Sequence, residues 1–477
     1  MTIFLKTGEC MDIFRKTPMT QKRSFLQRRL GLAELIFLGV GSIVGTGIFT
    51  ITGVGAAQYA GPAITISILI AALCVTISAL FFAEFSSRLP HSGGVYRYLY
   101  TVFGEYPAWI AGWFMIIEFA GAISTAASGW GGYLKAFLKT FGISFPTALS
   151  GPFNPKNGTY IDIVPVILLF FVTALVLLGV QTVLRFNSIL VIFKLAVLLI
   201  FIALGLTAIN TANWSDFAPY GFGQIYGGKV GIMAGASLMF FAFLGFESIS
   251  MAADETKEPQ KKIPQGIFIS IGLVTLLYVA VTLILTGTVH YSKLNITDVV
   301  PYVLRSIGFP FIGNFVSIVV IMTLVTVCIS MMYALTRMIY NISCDGLLPE
   351  QFQELTPKSK VPKKATIFVG LVTMFFSGVL QLEILALLVN IVTLAYLILL
   401  ALGVIKLRKD FDEPKEEEFR TPWVPFLPLL SIVICLSLMT QCKAIAWYGF
   451  IASFILGSLI YFGYGYRHSK LREDSKK

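Results

Sequence analysis

Apolar stretches of about 20 residues, each long enough to carry a helix across a bilayer, recur along almost the whole of this 477-residue chain. In hydrocarbon every backbone N–H and C=O has to find its partner within the chain, so only helices and closed barrels can cross. The stretches are continuously apolar rather than alternating, which selects helices. The expected spans are Leu32 to Thr52, Pro62 to Ser87, Pro107 to Leu134, Ile161 to Gln181, Asn187 to Ile209, Val230 to Ala253, Pro264 to Val289, Phe311 to Tyr340, Ala365 to Leu380, Ile384 to Lys406, Val424 to Gln441 and Ala444 to Tyr466. This is an all-α polytopic membrane protein of 12 helices: one membrane domain over 32–466, between an N-terminal segment 1–31 and a tail 467–477. A composition 56% hydrophobic and 13% charged agrees with a lipid solvent.

The formal net charge of +11 raises nucleic acid as a partner, and the placement of the charges answers against it. With the N-terminus inside, 28 of the 36 Lys and Arg fall on the cytoplasmic side, 7 fall outside and Lys194 lies within a span. The positive-inside rule then puts both termini in the cytoplasm, with the chain in the cell membrane. Lys22, Arg23, Arg28 and Arg29, just before the first span, set orientation and meet anionic headgroups. The start shows no cleavable signal, so the first span is expected to insert uncleaved.

Six cysteines (Cys10, Cys74, Cys328, Cys344, Cys435 and Cys442) are scattered without paired spacing, which disfavours a metal site or a disulfide framework. His91, His290 and His468 lie far apart, and neither HExxH, GxSxG nor a phosphate-binding GxxxxGK[ST] occurs. A membrane enzyme or an ATP-driven pump is therefore disfavoured. Ion-coupled transport, exchange and facilitated diffusion remain, with no metal or organic cofactor expected.

Two spans carry interruptions. The first reads Gly39-Val40-Gly41-Ser42-Ile43-Val44-Gly45-Thr46-Gly47-Ile48-Phe49, four glycines in nine residues where a helix should be most regular. Gly41 and Gly45 also have the GxxxG spacing of close helix packing. The sixth reads Phe240-Phe241-Ala242-Phe243-Leu244-Gly245-Phe246-Glu247, a carboxylate beside a glycine. The two interruptions correspond if spans one to five and six to ten form inverted repeats (about 32–209 and 230–406), which points to a midplane site. A half-helix starting at mid-membrane offers unpaired N–H groups to a carboxylate, and unwound carbonyls suit an ammonium. A zwitterionic amino acid fits both.

Lys194 sits about 10 Å into the fifth span, where its charge costs on the order of 3 kcal/mol unless it snorkels or finds a partner. Glu118 is equally deep in the third span, before the small residues Gly121 to Ser128. It is a candidate proton carrier or a structural hydrogen-bonding group. Glu34, Glu84 and Glu383 lie near span ends and are expected to be wet. Among the sixth-span aromatics, Phe241, beside the interruption, is the one singled out to close over a substrate.

The sequences GVGSIVGTGIF (Gly39–Phe49), AEF (Ala83–Phe85), PHSGGVYRY (Pro90–Tyr98), FFAFLGFES (Phe240–Ser248), DETKEPQKKIPQGI (Asp254–Ile267) and DGLLP (Asp345–Pro349) resemble the amino acid, polyamine and organocation transporters, and within them the bacterial relatives of the cationic amino acid transporters. The resemblance covers nearly the whole chain. It implies a leucine-transporter-type fold, two inverted five-helix repeats plus two C-terminal helices (424–466), with alternating access around a central site. It further implies that the substrate carboxylate meets N–H groups at Thr46 and Gly47 and its amino group the carbonyls of Ile43, Phe241 and Leu244. Gly45 and Ala242 belong to the same contact set, and Phe241 matches a gating aromatic. Lys194 matches a fifth-span lysine that stands in for sodium in proton-coupled members, and Glu118 matches a third-span acid of the subgroup. Cys344, Leu335 and Val392 depart from the pattern, on helices flanking the site. The expected function is a secondary active amino acid transporter, coupled to protons. An amino acid exchanger is the nearest alternative and a non-transporting sensor the second. A small accessory subunit or lipid ligand, and the accepted side chain, are not legible in the chain.

Overall fold

The computed structural model describes residues 3–4, 10–11, 13–16, 30–89, 94–179, 181–356, 360–411 and 418–474. Lys22, Arg23, Arg28, Arg29, His91 and the Pro90–Gly93 part of one motif lie outside the described residues. Apart from a two-residue antiparallel pair, β1 (Ile3–Phe4) with β2 (Cys10–Met11), the regular structure is helical. Eight helical stretches among the described residues are long and apolar enough to cross a membrane.

The first span is in two pieces. α1 (Leu32–Ile43) ends where Val44 turns extended, and helix resumes as a π-helical turn Gly47–Ile51, α2 (Thr52–Gly55) and a second π-helical turn Ala56–Ala60. α3 (Ile64–Arg88) follows, then a short amphipathic α4 (Gly94–Val102) and the 35-residue α5 (Glu105–Lys139). α6 (Ile163–Leu178) and α7 (Gln181–Leu206) precede the sixth span. There α8 (Ile232–Met239) tightens to 3-10 geometry over Phe240–Phe243, stops at an extended Leu244 and restarts as α9 (Ser248–Met251). The remainder is α10 (Pro259–Thr288), α11 (Val299–Ser306), α12 (Pro310–Cys344), α13 (Lys363–Val379), α14 (Leu382–Asp410), α15 (Phe426–Thr440) and α16 (Ala444–Ile460).

Burial separates inner from outer helices. In the most apolar stretch of α5, 89% of residues are buried within the protein, against 22% in the last span. α12 and α14 pack on α5, and α10 packs on α1 and α3. Outward-facing Leu178, Leu276 and Phe375 are 79%, 69% and 61% exposed; apolar surface this continuous marks lipid as its solvent.

The described segments around Arg15 and Ser469, near the two ends of the chain, meet on Glu105. Glu105, fully buried, accepts hydrogen bonds from Arg15 Nη2 (3.0 Å), Tyr100 Oη (3.1 Å), Tyr461 Oη (2.9 Å) and Ser469 Oγ (2.5 Å). The DGLLP motif works beside it: Asp345 accepts from Tyr96 Oη (2.7 Å) and Arg97 Nη2 (3.1 Å), and Gly346, with φ +84°, leaves no room for a Cβ against His468 O. Removing a buried carboxylate while leaving its cation costs about 3–5 kcal/mol. Glu105→Ala is expected to lower the thermal unfolding midpoint of the detergent-purified chain by several degrees and Glu105→Gln by less; equal midpoints for all three would show that this cluster carries no stability.

Glu84 corrects an expectation. It is fully buried rather than wet, because Arg408 at the end of α14 grips it through two 2.9 Å bonds and Thr421 N donates at 3.0 Å. Glu34 is exposed, as expected of a span end. Glu383 is only partly so, accepting from Tyr59 Oη and from Lys443 Nζ (2.7 Å). Cys74, Cys328, Cys344, Cys435 and Cys442 are free thiols, with Cys74 and Cys435 3.9 Å apart.

Candidate functional site

The two breaks lie against each other. A Cβ on Gly47 would collide with the Ala242 backbone, and one on Gly245, whose φ is +107°, would lie 2.7 Å from Ser42 O. Glycine at these two positions lets the unwound backbones touch. Ser248 Oγ donates to Ser42 Oγ (3.0 Å) across the same seam.

Each break frees carbonyls in a buried region, and side chains from three helices take them up. Lys194 of α7, 1% exposed, donates to Gly41 O and to Val44 O (2.7 Å). Tyr278 of α10 bridges both breaks, its hydroxyl within hydrogen-bond reach of Ile43 O (3.0 Å) and Ala242 O (2.9 Å). Asn390 of α14 donates to Ser237 O (2.7 Å) and Leu238 O (3.3 Å), the carbonyls at the end of α8. A buried carbonyl left unpaired costs about 1–3 kcal/mol, so these contacts hold the breaks open. Lys194 therefore does not snorkel; it is fixed on the break itself.

On the first break, helix restarts at Thr46–Gly47, so the N–H groups there precede any intrahelical acceptor. Gly45 is buried, yet a Cβ added to it would meet nothing within 4 Å; the break borders enclosed free volume. Gly129 of α5 closes one side, where a Cβ would lie 2.9 Å from Thr46 Cγ2 and 3.4 Å from Thr50 Oγ1. On the second break, Phe241 O already accepts from Leu244 N (3.2 Å), and Phe241 keeps 7% exposure while Phe240, Phe243 and Phe246 have none. Glu247 Oε2 accepts from Gly245 N (3.1 Å), a carboxylate on the restarting backbone.

Glu118 is 2% exposed and within electrostatic reach of Glu247, Tyr396 and Thr393. Glu118 Oε2, Tyr396 Oη and Thr393 Oγ1 have no hydrogen-bond partner among the described residues. Thus Ile43, Gly45, Thr46, Gly47, Phe241, Ala242 and Leu244 gather at one seam with Lys194 on its rim, while Glu118, with Tyr396 and Thr393 of α14, faces Glu247 at the edge of the second break. Leu335 and Val392 are fully buried, and Cys344 is the last residue of α12, remote from the seam in sequence. Sequence reasoning missed Tyr278, Asn390 and the role of Gly41 O and Val44 O. Tyr278 offered one faint signal, a hydroxyl inside an apolar span.

Two opposed broken helices, bordered by enclosed space and ringed by apolar spans, define a polytopic membrane transporter. The family follows from comparison: the amino acid permease family model matches residues 30–463. The chain is 38% identical over 467 residues to a methylthioribose transporter of Bacillus subtilis (strain 168), covering 97% of this chain and 100% of that protein. It is 38% identical over 472 residues to the branched-chain amino acid permease BcaP of the same organism, covering 97% and 99%. It is 30% identical over 412 residues to human cationic amino acid transporter 4, covering 85% of this chain and 64% of that one. The chain belongs to the amino acid permease family, within the amino acid, polyamine and organocation transporter superfamily.

Proposed function

We propose that the chain is a secondary active transporter of neutral amino acids, driven by protons, with 12 spans in two inverted five-helix repeats plus two, in the cell membrane with both termini cytoplasmic. The observation that carries this is the enclosed space beside Gly45, flanked by restarting N–H groups on one side and unwound carbonyls on the other. A carboxylate suits the N-terminal end of a half-helix and an ammonium suits free carbonyl lone pairs. The family and its branched-chain permease members support an amino acid. Glu118 and Glu247 are the acids nearest the seam, and Glu247 is occupied by the backbone of Gly245, which favours an uncharged side chain.

The proton role falls to Lys194. Protonated, it donates to the carbonyls of Gly41 and Val44 and pins α7 to the first break; as a neutral amine it loses a donor and its charge, so the grip on the break weakens. Protonation and the shape of the site are thereby linked. Purified protein in liposomes should accumulate L-leucine or L-alanine under an inside-alkaline pH gradient with no internal substrate. Counterflow without net accumulation would make the chain an exchanger instead, and thermal stabilisation by ligand without either flux would make it a sensor.

A further inference from the structure

α14 (Leu382–Asp410) is held at both of its ends, and the two holds differ in kind. At the Glu105 end, where Lys16 pairs with Asp410 (3.1 Å), Arg408 grips the fully buried Glu84 through two bonds and also donates to Thr421 O (2.6 Å). The chain beyond α14 lies across this pair as a strap: Thr421 Oγ1 donates to Leu80 O (3.1 Å) and Phe419 N to Ser87 Oγ (3.1 Å), both on α3. Opening a buried bidentate pair strands two charges, so this end is an anchor. The AEF motif thereby acquires a role, Glu84 being its central residue.

At the far end, Glu383 meets the first span instead. Its Oε1 accepts from Tyr59 Oη and from Lys443 Nζ (2.7 Å), and Lys443 Nζ also stands 5.6 Å from the centre of the Tyr59 ring. Tyr59 is buried, whereas the side chain of Lys443 is half-exposed. Both donors converge on one carboxylate oxygen, and water replaces a half-exposed ammonium at little cost. This contact is therefore the weaker of the two holds. Tyr59 O in turn accepts from Gly231 N (2.7 Å), at the start of the sixth span. Tyr59 is thus the joint at which the Gly47–Ala60 half of the first span and α8 come together, and its hydroxyl ties both to α14.

Asn390 lies between the two holds, about 10 Å along the helix from Glu383 and about 27 Å from Arg408. Its amide donates to Ser237 O and Leu238 O, the carbonyls that end α8. A stiff helix anchored at Arg408 carries Asn390 with it when its far end moves, so the far-end contact and the second break are mechanically linked.

We propose that Tyr59 and Glu383 are gating residues: release of their contact lets α14 tilt about the Glu84–Arg408 anchor, parting it from both far halves and drawing Asn390 off the break. The inference rests on the transporter class alone and not on which solute is carried.

A native thiol reports the tilt. Cys442, buried next to Lys443, lies within electrostatic reach of Tyr59 and has its Sγ 3.5 Å from Ser237 Oγ of α8, so parting α8 from α14 uncovers it. Cys328, fully buried in the middle of α12, stays covered. Alkylation of both by N-ethylmaleimide is followed by peptide-resolved mass spectrometry on the full chain in nanodiscs. Tyr59→Phe and Glu383→Ala should each raise the Cys442 rate about 5-fold, the scale of a partly exposed pair, with the Cys328 rate unchanged. Arg408→Lys should lower the unfolding midpoint and leave the ratio of the two rates at its native value. An unchanged Cys442 rate in both far-end variants, or a rise matched by Cys328, would overturn the gate and leave the contact a structural brace. A selective rise at Cys442 in Arg408→Lys would overturn the anchor, and with it the lever.

Discussion

Gly47→Leu should weaken amino acid binding at the seam by at least 100-fold, about 3 kcal/mol. The Cα of Gly47 faces the Ala242 backbone with no room for even a methyl group, so any side chain forces the two breaks apart and carries the restarting N–H groups away from the unwound carbonyls. The measurement is scintillation proximity on monodisperse detergent-purified protein, with Gly45→Ala beside it. Gly45 faces open space, so its alanine variant should fold normally and differ from Gly47→Leu by more than tenfold. Similar affinity for Gly47→Leu and the native chain would place the substrate away from the seam.

Lys194→Ala should reduce accumulation driven by a pH gradient to background, a fall of at least 50-fold, in liposomes that still show measurable counterflow. Loss of the lysine removes the protonable group and leaves Gly41 O and Val44 O without their donor, so a stability loss of about 1–3 kcal/mol accompanies the loss of coupling. Lys194→Arg separates the two effects. Arginine can still donate to those carbonyls but does not give up its proton, so its unfolding midpoint should recover towards native while gradient-driven accumulation stays low. If arginine restores accumulation as well, Lys194 acts as a brace for the break and the coupling proton travels elsewhere, with Glu118 the next group to examine.

Much of the architecture was legible because the bilayer permits so little. Continuous apolar stretches mark helices whatever their neighbours, and α13 with α14 separate at Leu380–Gln381 where the chain shows only a brief lapse in apolarity. The breaks at Val44–Thr46 and at Leu244 were visible as clustered glycine and as a carboxylate set beside one. The burial of Glu84 was not, since its partners Arg408 and Thr421 lie more than 320 residues away. The same holds for Tyr278 and Asn390, ordinary residues in their own spans that matter only because other helices present carbonyls to them. Gly45 and Gly47 look alike in the chain, yet one borders free space and the other a neighbouring backbone.

The sequence by itself determined that this is a helical membrane protein and where its first and sixth spans give way, since lipid enforces local hydrogen bonding and glycine locally undoes it. Only the tertiary structure decided what the freed backbone meets, Lys194 and Tyr278 arriving from other helices, and that Glu105 gathers the segments around Arg15 and Ser469. Hydrogen bonds between distant segments are fixed by packing, which no single stretch of the chain encodes.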